Sequence, residues 1–166
     1  MSTSVSPAVT TLPALGLQTG HWTLDPSHSS VLFSIRHLGL AKVRGRFDVV
    51  SAEMDLGPSL AASQIEATID LASINTSNAD RDAHLRSTDF FDTATHPTMQ
   101  FVSTAIEEAG DGFTLVGNLT LNDVTRPVTL AVEFNGTELG PTGKRHAGFG
   151  ATGAIRRSEF GIEFGL

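Results

Sequence analysis

An all-β domain, an antiparallel sandwich or barrel of seven or eight strands, is predicted by three observations. Apolar residues recur at every second position through most of the chain from Trp22 onward, turn residues separate these runs, and a single segment breaks the period. Such alternation marks half-buried strands, because successive side chains point to opposite faces.

The runs can be read in order. Val31, Phe33 and Ile35 share one face, with Ser34 and Arg36 on the other. Val43, Phe47 and Val49 alternate with Arg44, Arg46 and Asp48, and Gly45 interrupts the apolar side, where strands tend to bend or bulge. Ile65, Ala67, Ile69 and Leu71 alternate with Gln64, Glu66, Thr68 and Asp70. The run from Met99 to Ile106 is less regular, since Ser103 falls on the Met99/Phe101 face. Phe113, Leu115, Leu119 and Leu121 share a face that includes Gly117, and Val128, Leu130, Val132 and Phe134 alternate with Thr129, Ala131 and Glu133. Gly148-Phe149-Gly150 lies in a further strand-like segment. Gly57-Pro58 punctuates a run, and Asp111-Gly112 signals a hairpin. Asn122 to Pro127 reads as a short connection with Pro127 opening the next strand, and Asn135 to Gly143 as a longer polar loop.

The exception is Asn75 to Ser87, NTSNADRDAHLRS. Asn78 can cap a helix of about two turns, predicted to cross one end of the sheet structure. In the loop that follows, Asp89-Phe90-Phe91-Asp92 sets two adjacent aromatics among carboxylates. Neighbouring side chains diverge, so one ring is expected to seal the core and the other to cover the surface.

With 166 residues the chain suits one domain and can bury a sizeable core. Residues 1–20 read as a flexible tail and 21–166 as the domain. The tail has no Lys or Arg, and Pro7, Thr10, Thr11 and Pro13 break its apolar residues, unlike a secretory signal. A cytoplasmic location is therefore expected, with the periplasm or secretion as the alternative. A net charge of −7 argues against a nucleic-acid partner, which requires a basic footprint. The absence of cysteine excludes disulfides, thiolate catalysis and cysteine-ligated zinc. No stretch reaches the roughly 18 apolar residues that suggest a spanning helix.

No catalytic motif stands out. The six histidines lack the spacing of a helical zinc site, and no nucleophile elbow, phosphate loop or dinucleotide fingerprint is present. Asp25, His28 and Ser29 can be drawn as a hydrolytic trio, but the local sequence reads better as a turn, and a triad is judged by geometry. Arg81-Asp82 can be an anion clamp and base, or a pair that pins the helix; the structural reading is preferred. No catalytic residue, metal or cofactor is assigned.

The strings Trp22-Thr23-Leu24-Asp25, His28-Ser29, Phe33-Ser34-Ile35-Arg36-His37 and Gly45-Arg46-Phe47 resemble the opening of the YceI-like family. Asn78 to Asp92, NADRDAHLRSTDFFD, is similar to the family's most specific motif. His96-Pro97, Gly117-Asn118-Leu119-Thr120, Thr125-Arg126-Pro127-Val128 and Arg157 to Ile162 follow in family order. The resemblance implies an eight-stranded, lipocalin-like antiparallel barrel with one short helix covering an end. It also implies a long-chain isoprenoid lipid, polyprenyl or quinone-like, bound inside for carriage or storage. Family barrels usually continue beyond the Arg157–Ile162 motif into another strand, so a missing C-terminal strand, or an edge-mediated homodimer, is expected here.

The resemblance turns the alternating inward positions into candidate lining: Val31, Phe33, Ile35, Phe47, Val49, Ile65, Ile69, Phe101, Leu115, Leu119, Leu130, Val132 and Phe134. By periodicity alone these are an ordinary packed core. Gly45, Gly117, Gly148 and Gly150 are expected to widen the interior, and Phe33→Trp to narrow it and weaken long-chain binding. Arg81, His84 and Arg86 are candidates for a lipid head group. The alternatives are an enzyme acting on a lipid-like substrate through His28, Arg81, Asp82 or His84, and an interaction module using an open sheet edge.

Overall fold

The computed structural model describes residues 15–37 and 40–165. Its elements are β1 (Gly20–Thr23), β2 (Val31–His37), β3 (Ala41–Phe47), β4 (Val50–Leu56), β5 (Gln64–Asp70), β6 (Ile74–Asn75), α1 (Ala79–Arg86), β7 (Thr98–Ala109), β8 (Gly112–Leu121), β9 (Val124–Leu139) and β10 (Arg145–Thr152). Seven strands form one antiparallel sheet in the order β1-β4-β5-β7-β8-β9-β10, and β2-β3-β6 form another. The larger sheet curls until its outermost strands, β1 and β10, line the same cavity, giving a half-barrel.

The predicted antiparallel, barrel-like fold is present, with one α-helix and ten strands instead of eight among the described residues. The additional strands include β1 and β6, whose four and two residues are too short to display a period. The sheets join where the chain turns from β3 into β4. Phe47 pairs with Ile74, Asp48 N–H donates to Ser73 O, and Asp70 N–H donates to Val49 O.

Bulges account for the irregular runs. Thr104 is an extra residue between the Ser103–Gly117 and Ala105–Val116 pairs, so the inward series Met99, Phe101, Ser103 resumes out of phase at Ile106. Ser103 is buried, and its hydroxyl accepts from Ile65 N–H at 2.8 Å. On β9, Asn135 is the extra residue between the partners of Gly148 and Phe149.

The β7–β8 turn is Gly110-Asp111, one residue earlier than the hairpin signal suggests. At the β8–β9 turn both Asn122 and Asp123 have positive φ, the geometry of a tight two-residue hairpin. β9 therefore starts at Val124, and Pro127 sits within the strand. It is tolerated there because β10 covers β9 only from Ala131 onward, leaving one edge of Pro127 free of a partner strand.

The connections of an antiparallel sheet divide it into two ends. The β3–β4 and β8–β9 turns and α1 lie at one; the β4–β5, β7–β8 and β9–β10 connections lie at the other. The first end is solid. Phe47, Leu71, Ile74, Phe101, Leu115, Leu119, Leu121, Phe160 and Ile162 form one buried cluster. Phe160 ends a short 3₁₀ turn, Arg157–Phe160, and Ile162 follows it; the Phe160 carbonyl accepts from Asn122 Nδ2 at 2.9 Å.

The helix begins as expected, with the Asn78 side chain accepting from Arg81 N–H. Asp82 is buried and accepts from both Thr76 N–H and Thr76 Oγ1–H, while Arg81 donates to Thr76 Oγ1 and Thr76 O. Thr76 is thus gripped by neighbouring helical residues, which fixes α1 against the sheet. Phe91 meets the Phe47 ring edge-on at 6.1 Å, whereas Phe90 packs against His84 and Phe164 at the outside of the same end. Both rings are half-buried.

Candidate ligand cavity

At the opposite end, the inner faces of β1, β4 and β5 stand across from those of β8, β9 and β10. Between them is a cavity of about 860 Å³, within the roughly 300–1,000 Å³ usual for ligand pockets. Its apolar lining includes Leu17, Trp22, Met54, Leu56, Leu60, Ile65, Ile106, Phe113, Leu115, Val132, Ala147 and Phe149. The strand period puts these residues inside: on β4, Val50, Ala52, Met54 and Leu56 are shielded while Ser51, Glu53 and Asp55 are exposed.

The rim is polar. Asp25, His28, Ser29, Asn135, Thr137, Glu138, Arg145 and His146 line it from the β1–β2 and β9–β10 regions. Asp25 caps its own turn by accepting from Ser27 N–H at 3.0 Å, and its other oxygen lies 2.8 Å from His28 Nδ1. The hydrogen bond with His28 is the main reason the Asp25 carboxyl is held below its usual range; the Ser27 N–H and the charges of His28 and His146 act in the same direction. His28 is largely exposed. Its Nδ1 is engaged by Asp25, and among the described residues Ser29 makes no hydrogen bond to it. The turn reading of this segment therefore has its geometry, and the third member of a hydrolytic trio is not engaged. Among the described residues no group of three His, Cys, Asp or Glu could hold a metal ion.

Of the residues expected to line a pocket, Ile65, Leu115 and Val132 border the cavity. Phe134 packs in the small cluster around Leu17 and Leu56 beside it. Val31, Phe33, Phe47, Ile69, Phe101, Leu119 and Leu130 belong to, or pack on, the solid cluster. Ile35 and Val49 are 43% and 56% exposed. Val49 lies in the crossing between the sheets, where the β period lapses.

Of the four glycines expected to widen the interior, Gly148 borders the cavity and Gly45, Gly117 and Gly150 do not. An added Cβ at Gly45 would fall 2.4 Å from the Phe33 ring, and one at Gly117 2.4 Å from the Phe101 ring, so aromatic rings already fill those spaces. Gly150 lies under the exposed Glu133 side chain.

Arg81, His84 and Arg86 gather at the solid end, and none borders the cavity. Arg81 holds Thr76, Arg86 donates to the carbonyls of Ala72 and Ile74, and His84 Nε2 lies 2.8 Å from Asp89. Trp22, Met54, Leu56, Phe113 and the β9–β10 side of the rim were missed by the sequence reading, whereas Asp25, His28 and Ser29 on the other side were singled out, as a possible hydrolytic trio. The Val50-Ala52-Met54-Leu56 alternation was available as a signal; nothing in the sequence joined the Asp25–Ser29 turn to the distant β9–β10 residues that complete the rim.

Fold and site together define a half-barrel of antiparallel strands, packed at one end and hollow and apolar at the other. The match is to the YceI-like domain, spanning residues 22–166, and the chain belongs to that family. It is 39% identical over 143 residues to the protein YceI of Escherichia coli O157:H7, covering 86% of this chain and 75% of the relative. A Campylobacter jejuni YceI crystal structure is 37% identical, with a TM-score of 0.67, covering 84% of this chain and 83% of the other. A domain from Saccharophagus degradans, described as polyisoprenoid binding and implicated in plant cell wall breakdown, shares the fold at 17% identity. Its TM-score is 0.56, covering 89% of this chain and 84% of the other.

Proposed function

We propose that this protein binds a long apolar isoprenoid lipid, with the hydrocarbon chain in the cavity and a polar end at the rim, for carriage or storage. The observation that carries the reading is the apolar lining of an 860 Å³ hollow in a domain whose other end is densely packed. The S. degradans neighbour, described as a polyisoprenoid-binding domain, supports the ligand class.

The physical driving force is removal of hydrocarbon from water, roughly 0.8 kcal/mol for each buried CH₂. Ordering a flexible chain offsets much of that gain, so affinity should depend on how well chain length matches the hollow. The rim offers both charge signs within one opening, Asp25 and Glu138 beside Arg145, which suits a polar head that remains in water.

The test is uptake of a prenol series, from farnesol to a decaprenol, followed by native mass spectrometry. The expected result is one-to-one binding with an optimum in chain length, together with an apolar mass co-purifying from cells. A folded protein that takes up no member of the series and carries no such mass would remove this reading.

A further inference from the structure

The segment leading into β1 does more than connect. Among residues 15–19, Leu17 is only 2% exposed, whereas Gly16, Gln18 and Thr19 are exposed. Leu17 turns inward onto Leu56, and the half-buried Trp22, Met54 and Phe134 pack on the same cluster. It also stands between two hollows: the cavity described above on one side and a surface depression of about 510 Å³ on the other. Gly16, Gln18 and Thr19 border the depression but not the cavity; Leu17 borders both. Among the described residues Arg145 also borders both, so the side chains of Leu17 and Arg145 stand where the cavity and the surface depression meet, and of the two only Leu17 belongs to this segment.

The attachment of this segment is slight. Among the described residues, one hydrogen bond holds it, from Trp22 Nε1–H to Gln18 O at 2.9 Å. Gly16 and Gly20 bracket its inner part, Leu17 to Thr19, with φ of +79° and +128°, a region that glycine enters without the penalty other residues meet. An added Cβ at Gly20 would touch nothing within 4 Å, so backbone conformation rather than crowding requires glycine there.

We propose that residues 15–19 form a strap whose Leu17 gates the cavity, swinging out about the two glycines to admit or release a long-chain ligand. This rests on the ligand-binding reading of the cavity. A gate has a kinetic signature that a lining residue lacks. Truncating a lining contact weakens affinity through dissociation alone, whereas loosening a gate speeds entry and exit together and leaves affinity nearly unchanged.

Trp22 is the single tryptophan and lies against both strap and cavity. Energy transfer from it to cis-parinaric acid reports uptake of that probe in stopped flow. In Leu17→Ala the association rate should rise about tenfold; because Leu17 also lines the cavity, dissociation should rise by at least as much, so the association rate is the readout. A rise in dissociation rate alone overturns the gate.

A second variant does not depend on Leu17. An added Cβ at Gly16 lies 3.1 Å from Thr137 Oγ1, and the chain has no cysteine, so Gly16→Cys with Thr137→Cys introduces one lockable pair. Oxidised, it should exchange probe about tenfold more slowly than the same protein reduced. Equal rates in the two redox states overturn the gate while leaving the cavity reading intact. Failure of the unsubstituted protein to take up the probe overturns both.

Discussion

The two ends of the half-barrel are built from the same strands and put them to opposite use. At the α1 end, inward side chains meet a partner: Phe160, Leu71 and Ile74 are almost fully buried, and the rings of Phe33 and Phe101 lie over glycines. At the other end, inward side chains such as Met54, Ile106 and Phe113 face a hollow. Nothing in strand chemistry separates the two. What differs, among the described residues, is the material at the end of the sheet: a capped helix, a DFFD loop and a 3₁₀ turn on one side, a 3₁₀ turn at Leu60–Ala62 and the strap of residues 15–19 on the other. The solid end should therefore account for most of the stability and the hollow end for binding.

The sharpest way to break that division is Phe160→Ala. Emptying a site 1% exposed should cost about 3–5 kcal/mol in urea denaturation. A cost below about 1 kcal/mol would mean the closed end is not the stabilising core. Gly117→Ala should cost less, about 1–3 kcal/mol, because its Cβ would fall 2.4 Å from the Phe101 ring and 2.6 Å from Val102 O. Phe33→Trp belongs to the same class. Its ring sits on Gly45 and not at the cavity, so the structure moves its main expected effect from affinity to stability.

Met54→Trp probes the hollow end. The larger ring should be accommodated with a stability change within about 1 kcal/mol, while affinity for long prenols falls about tenfold or more. Equal loss of stability and binding would erase the contrast between the ends.

The smallest effect concerns edge strand β1. Asp55, hydrogen-bonded to His21 Nδ1 at 2.8 Å, raises the His21 pKa, aided by the charges of Asp55 and Glu53. The folded value lies above the ordinary one, so this contribution is fully present below about pH 6.5 and is lost as pH rises through the raised value. Amide protection factors in β1, corrected for the intrinsic base catalysis of exchange, should fall slightly across that window, and the change should vanish in Asp55→Asn.

The antiparallel class, most strand faces, the Asn78 cap and the family were all legible in the sequence. Each is a local property: a period of two, a capping side chain, a string of residues in order. The outcome for Arg81 and Asp82 was also readable, since adjacent charged residues on a short helix have backbone within reach. Ile65 and Phe101 carry the same alternating signal, yet one borders the hollow and the other lies under the packed cluster. That choice belongs to the tertiary structure. An inward-facing apolar residue becomes core or lining according to how far the sheet curves and which distant segment arrives to fill the space, and neither is encoded in the strand that bears it.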